Sequence, residues 1–179
     1  MDYAKLKQRQ KASRESKYLL TDEQAEDQIF NLIDFYDIDL TFDIAGLLDE
    51  ENDAKQMSKE EKAAGIGVKQ ILKDVGHWIK QGVIDIERKP DDLIVTHNLI
   101  KPIGEESVDS TQKTKIVYRS ITPKDTENMA KLGEDFTFAQ RAETLMAYLS
   151  DEGLPVINAL GVLDKRAARN VGILLLIAQ

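Results

Sequence analysis

Two histidines, 32 carboxylates and no cysteine bound the chemistry open to this chain of 179 residues. Without Cys there is no disulfide, no thiolate nucleophile and no thiolate zinc site. His77 and His97 fall in different predicted elements, and no H-E-x-x-H frame places two imidazoles on one helix face. Both read as ordinary surface or half-buried side chains. The stretch DFYDIDLTFD, residues 34–43, is dense enough in carboxylates to suggest calcium. An EF-hand loop needs Gly at its sixth position and Glu at its twelfth. Counting from Asp37 gives Phe42 and Leu48, and counting from Asp34 gives Asp39 and Ala45, so the stretch reads as an acidic helix edge. Gly65-Ile66-Gly67 lacks the G-x-x-x-x-G-K-[ST] frame of a phosphate loop, and no strand precedes it. There is no G-x-S-x-G nucleophile elbow. Nothing marks out any carboxylate pair for glycosidic chemistry. The expectation is a protein with no catalytic, cofactor-binding or metal-binding residues, and no enzymatic activity.

The elements that must position everything else follow from periodicity and caps. Thr21 caps a first helix whose apolar positions are Ala25, Ile29, Leu32, Ile33 and Tyr36. Thr41 could cap a second, with Phe42, Ile44, Ala45 and Leu48 inward, before a charged loop over 49–59. Ser58-Lys-Glu-Glu61 fits a capping box and precedes a long helix that Gly65 and Gly67 weaken and Gly82 stops. Its face is Val68, Ile71, Leu72, Val75, Trp78 and Ile79. The period then drops to two. A hairpin is predicted over about 83–98, turning at Lys89-Pro90-Asp91-Asp92 and placing His97 at a strand end. A polar loop over 104–113 leads to a third strand over about 115–120.

Thr122-Pro123 then opens a helix, with Asp125 three residues after the cap. Gly133 ends it, and Asp135 or Thr137 starts the next, faced by Phe138, Ala142, Leu145, Met146 and Leu149. Gly153 and Pro155 bracket a short piece carrying Val156, Ile157 and Leu160, which Gly161 stops. Asp164 is read as the cap of a last helix with Ala167, Ala168, Val171, Leu174, Leu175 and Ile177 inward. The fold class is α+β, mostly helical with a small antiparallel sheet. The organisation is a flexible basic arm over 1–20, then one domain over 21–179.

Charge narrows the partners. The net charge is −8, yet residues 1–20 hold six Lys/Arg against Asp2 and Glu15, leaving 18 basic and 30 acidic residues in the remainder. An acidic body repels phosphate backbones, so nucleic acid is an unlikely general partner. The arm reads as a solvated terminus or as a contact for nucleic acid or an acidic partner. The order of three helices and a hairpin over 21–98 does match a winged helix, which would read DNA with helix 68–81 and hairpin 83–98. That helix offers only Lys69, Lys73 and Lys80 for phosphate contacts. No apolar run reaches the 18 residues of a membrane span, and the opening residues lack the apolar stretch of a signal peptide. A cytoplasmic location is expected.

Over residues 116–178 the chain resembles the small tail assembly chaperones of long-tailed bacteriophages. The residues are Tyr118-Arg119-Ser120-Ile121-Thr122-Pro123-Lys124-Asp125, then Leu149-Ser-Asp-Glu-Gly153-Leu154-Pro155, then Leu160-Gly-Val-Leu-Asp164. The chain departs from that family by its added acidic N-terminal half. The resemblance implies a non-enzymatic protein of the host cytoplasm. It would bind the long tape-measure protein and the tail-tube protein during tail assembly, with no cofactor. Such a role needs an apolar groove, for which the expected residues are Leu145, Leu149, Leu154, Ile157 and Leu160. Tyr118 and Arg119 are further partner-binding candidates. Arg119 is alternatively expected to pair with Asp125 or Asp164 and hold the junction. The terminal GILLLIAQ is expected either to be a buried last helix or to face a partner or a second copy of the chain, forming a homo-oligomer.

Overall fold

In the computed structural model, residues 18–40, 68–104 and 112–178 are described. Most of the basic arm, the Thr41 helix, the Ser58 capping box and most of the 104–113 loop lie outside these residues. Helix α1 (Asp22–Tyr36) begins with a reciprocal cap. The Gln24 N–H donates to Thr21 Oγ1 at 3.2 Å, and the Thr21 N–H donates to Gln24 Oε1 at 2.9 Å. Helix α2 (Val68–Lys80) buries Val68, Ile71, Val75, Trp78 and Ile79 of the predicted face and Gly76 besides, while Leu72 is only partly buried. Gly82 follows with φ +70°, a conformation that glycine adopts without steric cost.

Strands β1 (Ile84–Lys89) and β2 (Asp92–Ile103) form the predicted hairpin, with Lys89 opposite Asp92 across the Pro90-Asp91 turn. Strand β3 (Lys113–Tyr118) lies antiparallel on the other side of β2, so the three-stranded order is β1-β2-β3. The fold class is α+β, mostly helical with this small antiparallel sheet. Two strand boundaries differ from expectation. β3 ends at Tyr118 because the Arg119 N–H leaves the ladder for the Leu149 carbonyl, and because Ser120 Oγ folds back to accept the Leu93 N–H. β2 continues past His97, which therefore sits inside the strand, and its register to β3 breaks between Asn98 and Ile103.

Four helices complete the chain: α3 (Pro123–Ala130), α4 (Phe138–Leu149), α5 (Leu154–Ala159) and α6 (Val162–Ile177). Thr137, not Asp135, starts α4, in a second reciprocal cap with Gln140. The cap of α6 is Gly161, and Asp164 lies in the first turn, not before it as its capping role predicts. The physical reason is that the Asp164 carboxylate is drawn to backbone donors of β2. Helix α6 packs against α4, α2 and β2, while α1 covers β1. Val171, Gly172, Ile173, Leu174 and Leu175 are buried, so the apolar terminus is an interior helix.

Helices α4 and α6 approach closely at Gly172. A Cβ there would lie 2.7 Å from the Ala142 carbonyl oxygen and 3.0 Å from Met146 Cγ. Glycine inside a helix costs about 1 kcal/mol against Ala, and here the missing Cβ lets two helices touch. Gly172→Ala is therefore expected to destabilise the fold by about 1–3 kcal/mol despite its gain in propensity. Gly133→Ala, where a Cβ meets nothing within 4 Å, should stay within about 0.5 kcal/mol. Urea denaturation midpoints of the two variants check this.

Candidate functional site

The strand-to-helix junction between β3 and α3 carries the motif of the resemblance. Arg119 Nη1 donates to Asp125 Oδ2 at 2.7 Å and Nη2 to Oδ1 at 3.1 Å, a two-point pair. The same Asp125 carboxylate accepts the Thr122 N–H at 2.8 Å and the Thr122 hydroxyl at 2.6 Å. Arg119 also reaches the Tyr148 carbonyl, so it ties the junction to the end of α4. The guanidinium, seconded by the Thr122 bonds, pulls the Asp125 carboxyl down to about 2 against its burial. Of the two alternatives for Arg119, the partner is Asp125.

Asp164 is engaged elsewhere, in a group that sequence spacing does not connect. Tyr118, His97 and Asp164 are all buried, each at most 1% exposed. His97 Nε2 lies 3.2 Å from Asp164 Oδ1, and His97 Nδ1 lies 3.3 Å from the Tyr118 hydroxyl. The carboxylate accepts only, so Nε2 carries the proton and Nδ1 accepts the Tyr118 O–H. Asp164 Oδ1 also takes the Ile100 N–H at 2.8 Å, and Oδ2 takes the Lys101 N–H at 3.0 Å. These two donors belong to the part of β2 where the ladder to β3 breaks. Burial lowers the His97 pKa, opposed by the negative Asp164, and burial first, then Asp164, raises that of Tyr118. Burial thus favours the neutral imidazole. No substrate reaches these atoms without opening the core, so the group acts as a clamp between β2 and α6. Sequence reading treats His97 as ordinary because its partners lie 21 and 67 residues away.

The expected apolar groove is closed. Leu145, Leu149 and Ile157 are at most 1% exposed, Leu160 is 7% exposed and Tyr118 is fully buried. Their spacing marks an apolar face truly, but α6 and the sheet cover that face. Leu154, at the start of α5, is 40% exposed, and the Arg119 side chain is partly exposed. Exposed large apolar side chains are spread over several elements, Leu19 and Phe30 among them, and two adjacent ones stand at the start of α6. Val162 is 86% exposed and Leu163 is 52% exposed. Next to Val162 a depression of about 430 Å³ runs between the N-terminal halves of α4 and α6. Sequence reading misses it because Val162 and Leu163 seem to belong to the link before an Asp164 cap. Among the described residues no cluster of His or carboxylates could hold a metal, and no helix is long and apolar enough to cross a membrane.

Comparison of the chain with protein-family models, with curated proteins and with solved structures finds no match.

The clamp and the junction respond to acid differently. Burial holds the folded pKa of His97 below the ordinary 6.5. Its contribution is complete above that value and is lost as pH falls through the lower folded value. Urea midpoints measured from about pH 8 to about pH 5 should therefore fall more steeply in the native chain than in His97→Gln, whose amide can bond both partners without titrating. Asp125 acts lower down: its contribution is present above 3.8 and is lost as pH drops toward 2. Asp125→Ala should cost about 1–2 kcal/mol at neutral pH through loss of the cap and the guanidinium's acceptor. It should also flatten the acid limb of a stability-pH profile.

Proposed function

We propose that this protein is a non-enzymatic tail assembly chaperone of a long-tailed bacteriophage, holding apolar helices of the tape-measure protein before the tail-tube protein assembles around them. The observation that carries the reading is the exposed aliphatic pair at the start of α6, Val162 and Leu163, with the depression between α4 and α6 alongside. Single exposed aliphatic residues are ordinary, whereas adjacent ones with a groove alongside suit a partner. The order of breaks and caps over residues 116–178 supports the family reading. A net charge of −8 suits a protein that must keep an apolar client in solution.

The client surface is moved from where periodicity puts it. Leu145, Leu149, Ile157 and Leu160 hold the interior together. Of the expected groove residues, Leu154 keeps an exposed face. Client helices would dock by burying apolar area, at about 25 cal/mol per Å² of surface removed from water.

Co-expression with a tape-measure protein checks the proposal. The native chain should keep that protein soluble and co-purify with it. The double variant Val162→Ser, Leu163→Ser should lose most of the soluble complex while keeping its own unfolding midpoint, since both side chains are exposed. A soluble complex unchanged by the double variant, or none with the native chain, would refute the reading.

A further inference from the structure

We infer that the outer face of α1 is a docking site for the basic residues 1–17 of the same chain. This contact is independent of the chaperone reading. Charge is sharply divided at the start of the sequence. Residues 1–17 hold Lys5, Lys7, Arg9, Lys11, Arg14 and Lys17 against Asp2 and Glu15, and no further Lys or Arg occurs until Lys55. Helix α1 therefore carries five acids and no base. Its inner side, with Ala25 and Leu32 buried, packs on α2 and β1. Two of the acids are paired: Asp22 meets Lys80 at 2.6 Å, and Asp34 meets Arg88. Glu23, Glu26 and Asp27 are exposed and have no ion-pair partner. They stand at i, i+3 and i+4, so like charges repel with no cation in the helix to offset them. Glu26 and Asp27 also lie beyond the first turn, where the helix dipole no longer favours carboxylates. Phe30, at i+7 on the same face, is 62% exposed.

The occupant follows from where the chain enters the domain. The Leu19 and Leu20 N–H groups donate to the Lys80 carbonyl at 2.6 and 3.3 Å. The Tyr18 hydroxyl lies 3.2 Å from His77 Nδ1. Lys80 Nζ, which holds Asp22, lies 4.6 Å from the centre of the Tyr18 ring. The basic segment is thus tethered beside the first turn of α1. Phe30 lies beyond Glu23 by about 10 Å along the helix axis. The segment reaches it whether extended, at up to about 55 Å, or helical, at about 25 Å. A tether this short gives the cations a local concentration on the order of millimolar, so the segment of the same chain is favoured over that of a second copy. Single exposed ion pairs are worth little, but here several cations meet three unpaired carboxylates at once. Arg or Lys over the Phe30 ring adds a cation–π contact. Tyr3 and Leu6 supply apolar groups to cover the same ring.

The test uses the full chain, whose lack of cysteine lets Ala4→Cys carry a single nitroxide. Paramagnetic broadening of backbone amide resonances then reports which residues the segment approaches. At about 20 mM salt the signals of Glu26, Asp27 and Phe30 should be at least about threefold weaker than after the nitroxide is reduced, and they should recover at about 0.5 M salt. The variant Glu23→Gln, Glu26→Gln, Asp27→Asn should give the high-salt result at low salt. Its three side chains are exposed, and circular dichroism confirms that it is folded. Isotope-labelled chains mixed with nitroxide-bearing copies should show no such loss. Broadening that ignores both salt and the variant would overturn the inference, because it reports a tether with no preferred contact. So would broadening that is strongest on another element. A loss seen in the mixed sample would assign the contact to a second copy and overturn it likewise.

Discussion

A single buried carboxylate organises the packing of helix on sheet in this protein. Asp164 lies in the first turn of α6 and accepts two backbone N–H groups from β2 and one imidazole N–H. Those backbone donors sit where the ladder between β2 and β3 breaks, so they would otherwise be short of acceptors. Desolvating a charge is expensive unless hydrogen bonds replace water, and three donors do so here. His97 extends the group to Tyr118 on β3, so one network reaches two strands and the last helix. Positioning of α6 then sets the shape of the depression beside α4, which Val162 lines just ahead of Asp164.

The Arg119–Asp125 pair does comparable work at the other end of the helical layer. It joins the end of β3 to the start of α3 and, through the Tyr148 carbonyl, to the end of α4. Both polar centres therefore serve assembly. Their side chains are saturated by internal partners, which leaves surface chemistry to residues outside them. This is why the open α6 face, and not the Tyr118–Asp125 motif, carries the proposed binding role. The motif shapes the platform, and the exposed aliphatic pair at the start of α6 lies outside it.

Much of this was legible in the residues. Thr21, Thr122 and Thr137 announce helix starts through local bonds that need no tertiary context, and the Pro90-Asp91 turn declares the hairpin in the same way. The apolar faces of α2 and α4 were readable because burial and helical period coincide. The candidate site was less so. Periodicity reports that Leu145, Leu149 and Ile157 are apolar on one side, but it is silent on whether a neighbour covers that side. An interior seam and a client groove have the same pattern in one dimension.

Among the described residues the sequence by itself determined the helical and extended segments, most of their boundaries and the α+β class, and over the whole chain the acidic balance, since each depends on contacts a few residues apart or on simple counts. Tertiary structure alone decided three things. It buried His97 and Asp164 together across 67 residues. It closed the leucine seam beneath α6, and it left Val162 and Leu163 in water. Each outcome turns on which surfaces meet when the segments pack, and the free energy of that choice comes from area removed from water and from polar groups finding distant partners. Neither quantity belongs to any single stretch of the chain.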